Sequence, residues 1–462
     1  MDPPPPPPLP DDVLAGILRR LAPRGLAASR CVCRAWRRVV DDRRLLRADL
    51  LPRSLGGIFL NLNGLWFTQF LARPTMGAAV SGRLDYTVPG DPDPDRLPVI
   101  YVRDHCNGLL VLDHCVVNPA TRQWVLLPPR PEDLPQPPPP GMHACTDEYL
   151  VFDPTLSPDF ELFIVPSVCE VDNQCEESEW PPSTLILSVF SSKTGSWEEK
   201  AFCRHGEAAG LLPGMRSVRS FLDHQCGYWR EALYICCSNC FVMRISLSDN
   251  TYRVIRLPIE DGEFYLGKSI KGIYCASLVQ GGQLQIWFLK DHCGHDQTEW
   301  VLKHDRDIFP ILPNLNYDEQ CDGPWILQEF YYWRHEQHSD EDTDVEDTEP
   351  IVEEKMEEKF LWDSDNDNVL EPGTRSNDSY IVFLGFHPYK EVVFLSDKFD
   401  RVLAYNWSSS KLHDLGKVFP KFYIERDLQF HHRLVKASFP YTPCWLGELP
   451  EKLNSQAHQI ED

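Results

Sequence analysis

No lysine occurs before Lys193; arginine carries all the side-chain basic charge upstream of it, apart from histidine. The plain source of that bias is a gene start rich in Arg, Ala and Pro codons. Long apolar runs are also missing. No stretch reaches 18 apolar residues, so no membrane span is expected. The first ten residues, MDPPPPPPLP, have neither a charged n-region nor an apolar h-region, which predicts no secretory signal. The 16 cysteines show no framework of even spacing, so reduced thiols of a cytoplasmic or nuclear protein are expected. The sequons at Asn377 and Asn406 are then chance matches. There is no G-x-S-x-G elbow, no Walker motif and no G-x-G-x-x-G, so neither a serine nucleophile nor a phosphate cradle is supported. Basic surface is scarce as well. A net charge of −24 argues against a general nucleic-acid binder.

What is present begins at residues 9–46, LPDDVLAGILRRLAPRGLAASRCVCRAWRRVVDDRRLL. Asp11 or Asp12 can cap a helix after Pro10. Val13, Leu14, Ile17, Leu18 and Leu21 then recur at helical spacing, and Pro23 ends the helix. A second short helix is predicted from about Leu26, and a third carries Trp36, Val39 and Val40. A unit of about forty residues cannot bury a self-sufficient core. It nevertheless presents Leu, Ile, Val and Trp, each stabilised by roughly 1.5–3 kcal/mol when buried. Such a module completes its core against another protein.

These residues resemble an F-box. The matching positions are Leu9-Pro10, Val13-Leu14, Ile17-Leu18, Leu21, Leu26, Arg30, Val32-Cys33, Trp36 and Val39, with Ala27-Ala28 and Cys33 departing mildly from the commonest residues. The resemblance implies docking on a Skp-type adaptor and, through it, on a cullin, with Leu9, Pro10, Leu14, Ile17, Leu18, Leu21, Val32, Cys33, Trp36 and Val39 as adaptor-binding residues. The lysine-free start then has a second meaning, since a ligase receptor gains by keeping acceptor lysines from its catalytic end.

From about Val99 short apolar runs alternate with turn clusters. Strands are predicted at 99–103, 109–112, 123–127, 148–152, 161–165, 185–191, 196–202, 232–236, 241–246, 252–257, 272–278, 283–289, 299–303, 380–384, 392–396 and 401–407. A weak repeat joins them. An apolar strand, a small turn and a return strand marked by an aromatic recur at Trp124, Trp197, Tyr252 and Trp300, which stand 73, 55 and 48 residues apart. A spacing near about fifty suits a four-stranded propeller blade, although the same strands could build a sandwich. His105-Cys106-Asn107-Gly108-Leu109-Leu110, Asn118-Pro119-Ala120-Thr121-Arg122-Gln123-Trp124 and the late Pro440-Tyr441-Thr442-Pro443-Cys444-Trp445 are similar to the F-box-associated domain of plant, grass-type F-box proteins. That resemblance implies a propeller-like substrate-binding domain.

The expected fold class is therefore α+β multidomain: a small three-helix F-box module followed by a mainly β, propeller-like domain. Its expected parts are a Pro-rich tail at 1–8, the F-box at 9–50, a connector at 51–95 with a strand-like middle, the β-domain at 96–447 and a tail at 448–462. A disordered acidic insertion at 335–368, with fifteen Asp and Glu against two Lys, interrupts the β-domain. Its Ser339, Thr343 and Thr348 lie among acids and suit an acidophilic kinase. A zinc site at Cys236, Cys237, Cys240, His292, Cys293 and His295 is weighed against small buried cysteines in a strand and turn, and the latter is preferred.

No cofactor and no metal are expected. The function expected is that of a non-catalytic substrate-recognition subunit of an SCF-type ubiquitin ligase, binding an unnamed protein substrate and neither nucleic acid nor membrane. The alternatives are an F-box scaffold or a small-ligand sensor outside a ligase, for which Trp229, Trp325 and Trp333 are candidate surface anchors.

Overall fold

A computed structural model describes residues 10–21, 26, 29, 33–43, 45, 54–73, 80–87, 99–171, 177–214, 225–237, 241–259, 263–279, 282–291, 298–312, 323–328, 369–370, 381–397, 400–420, 434–445 and 449. Two helices come first, α1 (Asp11–Leu18) and α2 (Arg34–Asp42). Pro10, not an aspartate, occupies the N-cap position of α1. Asp11 and Asp12 sit in the first turn and reach across to α2, pairing with Arg38 at 3.2 Å and Arg43 at 2.5 Å. Leu14, Ala15, Leu18, Leu26, Val39, Val40 and Leu45 form one small core, with Trp36 against it. Of the three helices expected, the middle one falls largely outside the described residues.

The rest is β. Strands β1 (Gly57–Leu62) and β2 (Gln69–Ala72) precede a meander of β3 (Asp104–Cys106), β4 (Leu109–Val111), β5 (Cys115–Asn118) and β6 (Gln123–Leu126). Next come β7 (Met142–Phe152), β8 (Phe160–Val171), a short β9 (Glu179–Trp180), β10 (Thr184–Ser191), β11 (Ser196–Arg204) and a short β12 (Gly210–Leu211). They are followed by β13 (Cys226–Trp229), β14 (Ala232–Cys237), β15 (Phe241–Ser246) and β16 (Thr251–Arg256), then by β17 (Glu263–Ser269), β18 (Gly272–Val279), β19 (Gln283–Asp291) and β20 (Thr298–Asp307). The last are β21 (Ile326–Gln328), β22 (Ile381–Phe386), β23 (Val392–Asp397), β24 (Arg401–Asn406), β25 (Lys411–Lys417) and β26 (Val435–Tyr441).

Among the described residues these strands make six four-stranded antiparallel blades. Blade 1 is β26-β1-β2-β21, so it joins the two ends of the β region. Blades 2 to 6 are β3–β6; β7-β8-β10-β11; β13–β16; β17–β20; and β22–β25. Blades 3 and 4 merge into one eight-stranded sheet through a short parallel pairing of their outer strands, Cys203 opposite Thr251 and Arg204 opposite Tyr252. The first strands of successive blades touch in the order β26, β3, β7, β13, β17, β22 and back to β26. A closed ring of radial meanders is a propeller.

The core lies between blades, not at the centre of the ring. In β23, Val393 and Leu395 pack toward blade 5 while Val392 and Phe394 pack toward blade 1; in β24, Leu403 and Tyr405 alternate with Val402 and Ala404 in the same way. A strand covered on both faces reads as a continuous apolar run, because its period-two alternation has no solvent side. The aromatic marks of the repeat tie neighbours together. Trp197 of blade 3 donates its indole N–H to Pro128 O after β6 at 3.4 Å. Trp300 of blade 5 donates to Arg256 O at the end of β16 at 2.8 Å, and the Tyr252 hydroxyl of blade 4 donates to Pro182 O beside β10.

Some local expectations change. Residues 99–103 do not form a strand of a blade. Ile100 makes only a single parallel bridge to Phe67, and the blade strand starts at Asp104. The thiols are not all reduced, since Cys145 is disulfide-bonded to a partner that is not among the described side chains. Cys236 is half-buried and Cys237 buried in β14, while Cys240, His292, Cys293 and His295 lie outside the described residues. Among the described residues no group of three His, Cys, Asp or Glu side chains could hold a metal ion.

Candidate functional site

Two surfaces carry features that the fold does not itself require. The first is one end of the ring. In blades 2 to 6 the first and second strands are joined at this end, and neighbouring junctions touch. Asn107 of the β3–β4 turn donates its side-chain N–H to Phe152 O at the end of β7 at 2.6 Å, and the Cys106 thiol donates to the same oxygen at 3.3 Å. Ser269 at the end of β17 donates to His387 O after β22 at 2.8 Å. Gly108 lies against Cys444, where a Cβ would come 2.4 Å from the cysteine side chain.

Three motifs distant in sequence therefore meet where the ring closes. Asn107 and Gly108 have φ of 46° and 95°, the left-handed pair that a two-residue hairpin needs and that Asn-Gly supplies. Asn118 donates to Cys444 O at 2.9 Å, and the Ala120 N–H donates to the Tyr441 hydroxyl at 3.2 Å. The Asn-Gly turn, the Asn-Pro-Ala-Thr turn and the Pro-Tyr-Thr-Pro-Cys segment are thus parts of one closure joint.

Across this end runs Lys268. Blades 2 and 5 are opposite each other in a ring of six, yet the Lys268 ammonium of blade 5 donates to Asn107 Oδ1 of blade 2 at 3.0 Å. The side chain thus reaches across the axis of the ring. Its ammonium also lies 5.5 Å from the Trp229 ring centroid, and crowding by protein lowers its pKa. Deeper in, Asp104 accepts from the Leu150 N–H at 2.6 Å and from the Cys226 thiol at 3.4 Å, linking blades 2, 3 and 4. Burial pushes the Cys106 thiol up to about 12 and the Cys226 thiol well above its ordinary value. Burial thus favours the protonated thiol over the thiolate at both positions.

Beside Lys268, the β13–β14 turn holds Arg230 and Glu231 at φ of 48° and 57°. This left-handed pair is usually given to Asn and Gly, so two ordinary side chains are kept there at a conformational cost. Of the candidate aromatic anchors, Trp229 is half-buried at this turn and Trp325 is buried in the core between blades 6 and 1. Trp333 lies outside the described residues.

The second surface is helical. Val13, Ile17 and Leu21, spaced four residues apart, are 49%, 47% and 41% exposed. Val13 and Ile17 lie one turn apart on the same face of α1 and Leu21 follows in the turn beyond the helix, so three large apolar side chains face solvent. Pro10 and Cys33 are also exposed and Trp36 is half-buried, whereas Leu14, Leu18 and Val39 are buried in the unit's own core. Leu9 and Val32 lie outside the described residues. The expected docking set thus divides between side chains that hold the unit together and side chains that face out. The shared apolar pattern in the sequence could not separate the two groups.

The F-box-like family model matches residues 8–50, the stretch that contains this helical unit. No curated protein matches the chain. Among solved structures, the chain is similar to YCF48 bound to a D1 peptide, with 8% identity, coverage of 80% of this chain and 86% of that one, and a TM-score of 0.29. It is similar to AztD of Citrobacter koseri at 8% identity, with coverage of 69% and 72% and a TM-score of 0.26. The WD40 domain of SCAP from fission yeast has 10% identity, coverage of 68% and 74% and a TM-score of 0.21. At these scores the likenesses carry no structural argument, and the propeller assignment rests on the strand pairing described above.

Proposed function

We propose that the chain is a non-catalytic substrate-recognition subunit of an SCF-type ubiquitin ligase. The F-box-like match at residues 8–50, which coincides with the exposed apolar stripe of α1, carries this reading. Leu9, Pro10, Ile17, Leu21, Val32, Cys33 and Trp36, joined by Val13, meet a Skp-type adaptor. Leu14, Leu18 and Val39 act by holding the helices in register. The adaptor brings the cullin, and the ring of blades holds a protein substrate near the charged ubiquitin carrier. The chain supplies proximity and breaks no bond itself, since raising local concentration is enough to speed transfer. The domain plan that goes with this is a helical module at 9–50 and a substrate domain that begins at β1 and not at 96, because β1 and β2, in the stretch expected as a connector, belong to blade 1; it runs to 447, interrupted at 335–368, in a cytoplasmic or nuclear protein of the grass-type F-box-associated class.

The test is an affinity purification of the full chain beside one lacking residues 1–50. Adaptor and cullin are expected with the first and not with the second. Proteins that co-purify with the full chain are expected to accumulate when the proteasome is inhibited. Adaptor without cullin indicates a scaffold instead, and capture by the shortened chain contradicts the docking assignment.

A further inference from the structure

The crossover from blade 2 to blade 3, residues 127–141, has the sequence LPPRPEDLPQPPPPG. It leaves β6 and enters β7 at Met142, the opposite end of that strand from Phe152. The proline ring fixes φ near about −65°, and a residue that precedes proline is restricted to extended ψ. Pro137, Pro138 and Pro139 meet both conditions, so covalent geometry alone sets them as polyproline II, with three residues per turn. The Met142 N–H donates to Pro139 O at 3.0 Å and Gly141 has φ of 79°, which makes Pro140-Gly141 the centre of a type II turn into β7. Burial along the run follows the same period. Gln136 and Pro139, one turn apart, are half-buried, and the Gln136 side-chain oxygen accepts from the Ile186 N–H of β10 at 3.3 Å. Pro137 and Pro140, also one turn apart, are both exposed, and so is Pro138. One ridge of the helix therefore lies against blade 3, while a second ridge carries two prolines about 9 Å apart into solvent. Reversal of the chain into β7 needs only the Pro-Gly turn, so the bare prolines are not explained by the fold.

We propose that Pro137, Pro138 and Pro140 form a docking ridge for a polyproline-reading domain of another protein, one whose groove is lined by aromatic side chains. Aromatic rings of such a groove pack against the exposed proline rings, and the backbone carbonyls of a polyproline II helix, which have no partner within the helix, accept from donors such as Trp N–H and Tyr O–H. The ridge is presented already ordered. Its φ angles are fixed by the proline rings, and the bonds to Ile186 and Met142 tie its two ends to blade 3, so docking loses little conformational freedom. Residues 3–8 are also proline and can compete for the same domain, so the test separates the two runs. The proposal stands apart from the ligase reading, because α1 takes no part in it.

The probe is a panel of purified SH3 and WW domains, each fluorescently labelled and titrated with the full chain while anisotropy is followed. At least one domain is expected to bind the full chain and to bind equally well when residues 1–8 are removed. Its affinity is expected to fall about tenfold or more against P137A/P140A. Pro138→Arg, which places a bulky charge on the ridge, is expected to weaken binding as well. The substituted side chains are exposed, so both variants should keep the thermal midpoint of the parent; if P137A/P140A does not, Pro138→Arg decides. Replacing the groove aromatics of the bound domain by Ala is expected to abolish the complex. No binding by any domain, equal binding by the parent and the folded variants, or binding that disappears with residues 1–8 overturns the proposal.

Discussion

At the residue scale the ring is governed by how closely its inner strands converge. At Gly385 in β22 φ is +126°, and a Cβ would lie 2.7 Å from Pro440 of blade 1 and 3.2 Å from the Tyr265 hydroxyl of blade 5. Gly385→Ala is expected to destabilise the protein by about 2–3 kcal/mol, from backbone strain and overpacking together. Gly16 in α1 has open space around it, and Gly16→Ala is expected to stabilise the helical unit by about 0.5–1 kcal/mol. Denaturant midpoints of the two variants should move in opposite directions. His387 adds a pH effect. Its Nδ1 accepts from the Tyr389 N–H at 3.0 Å, which requires an unprotonated nitrogen, and burial lowers its pKa from 6.5 to about 3. Between those values the unfolded chain binds a proton that the folded ring refuses. This contribution is complete above about pH 6.5 and is lost as pH falls toward 3. His387→Asn keeps an acceptor without the titration, so its urea midpoint should decline less than that of the parent between pH 7 and pH 5.

At the element scale, the outer parts of the blades were legible in the sequence and the inner strands much less so. The hairpins joining third and fourth strands carry the repeat. Arg122, Gly195, Asn250 and Ser410 hold the same left-handed position in the turns of blades 2, 3, 4 and 6. The strands predicted beside those turns match observed ones at β6, β10, β11, β15, β16 and β24, whereas β5 and β25, beside the same turns, were not expected. Four inner strands, β3, β13, β17 and β26, carry Asp104, Gly227, Gly267 and Pro440 and do not read as strands. Their residues answer to the axis: a Cβ on Gly227 would come 2.8 Å from Ile273 of blade 5, and one on Gly267 would come 3.2 Å from Phe386 of blade 6. Crowding from distant parts of the chain set these positions, and no local pattern reports it. The same holds for Lys268 and Arg230, whose neighbours come from other blades or from turn geometry. The ties between blades give a test at this scale. Tyr252→Phe removes the hydroxyl bond to Pro182 and is expected to cost about 1 kcal/mol, read as a lowered denaturant midpoint.

At the scale of the whole molecule, closure and coupling are the two properties that matter. Blade 1 takes β26 from the C-terminal part of the chain and β1 and β2 from just after the helices. Removing residues from 435 onward therefore strips the inner strand from β1 and opens the ring. The truncated chain is expected to lose its cooperative thermal transition. Gly108→Ala disturbs the same joint with one methyl group and is expected to increase hydrogen exchange at 441–445 while the distant blade 5 stays protected. The helical unit is a separate matter, because Leu14, Leu18 and Val39 build its core while Val13, Ile17 and Leu21 remain in solvent. That division makes docking separable from folding. The most direct measurement is calorimetric titration of the purified full chain with a purified Skp-type adaptor, for the parent and for I17D/L21D. Tight binding by the parent, lost in I17D/L21D at an unchanged thermal midpoint, is the predicted result. Equal binding by the two proteins, or no binding by the parent, contradicts the assignment of the α1 surface to the adaptor.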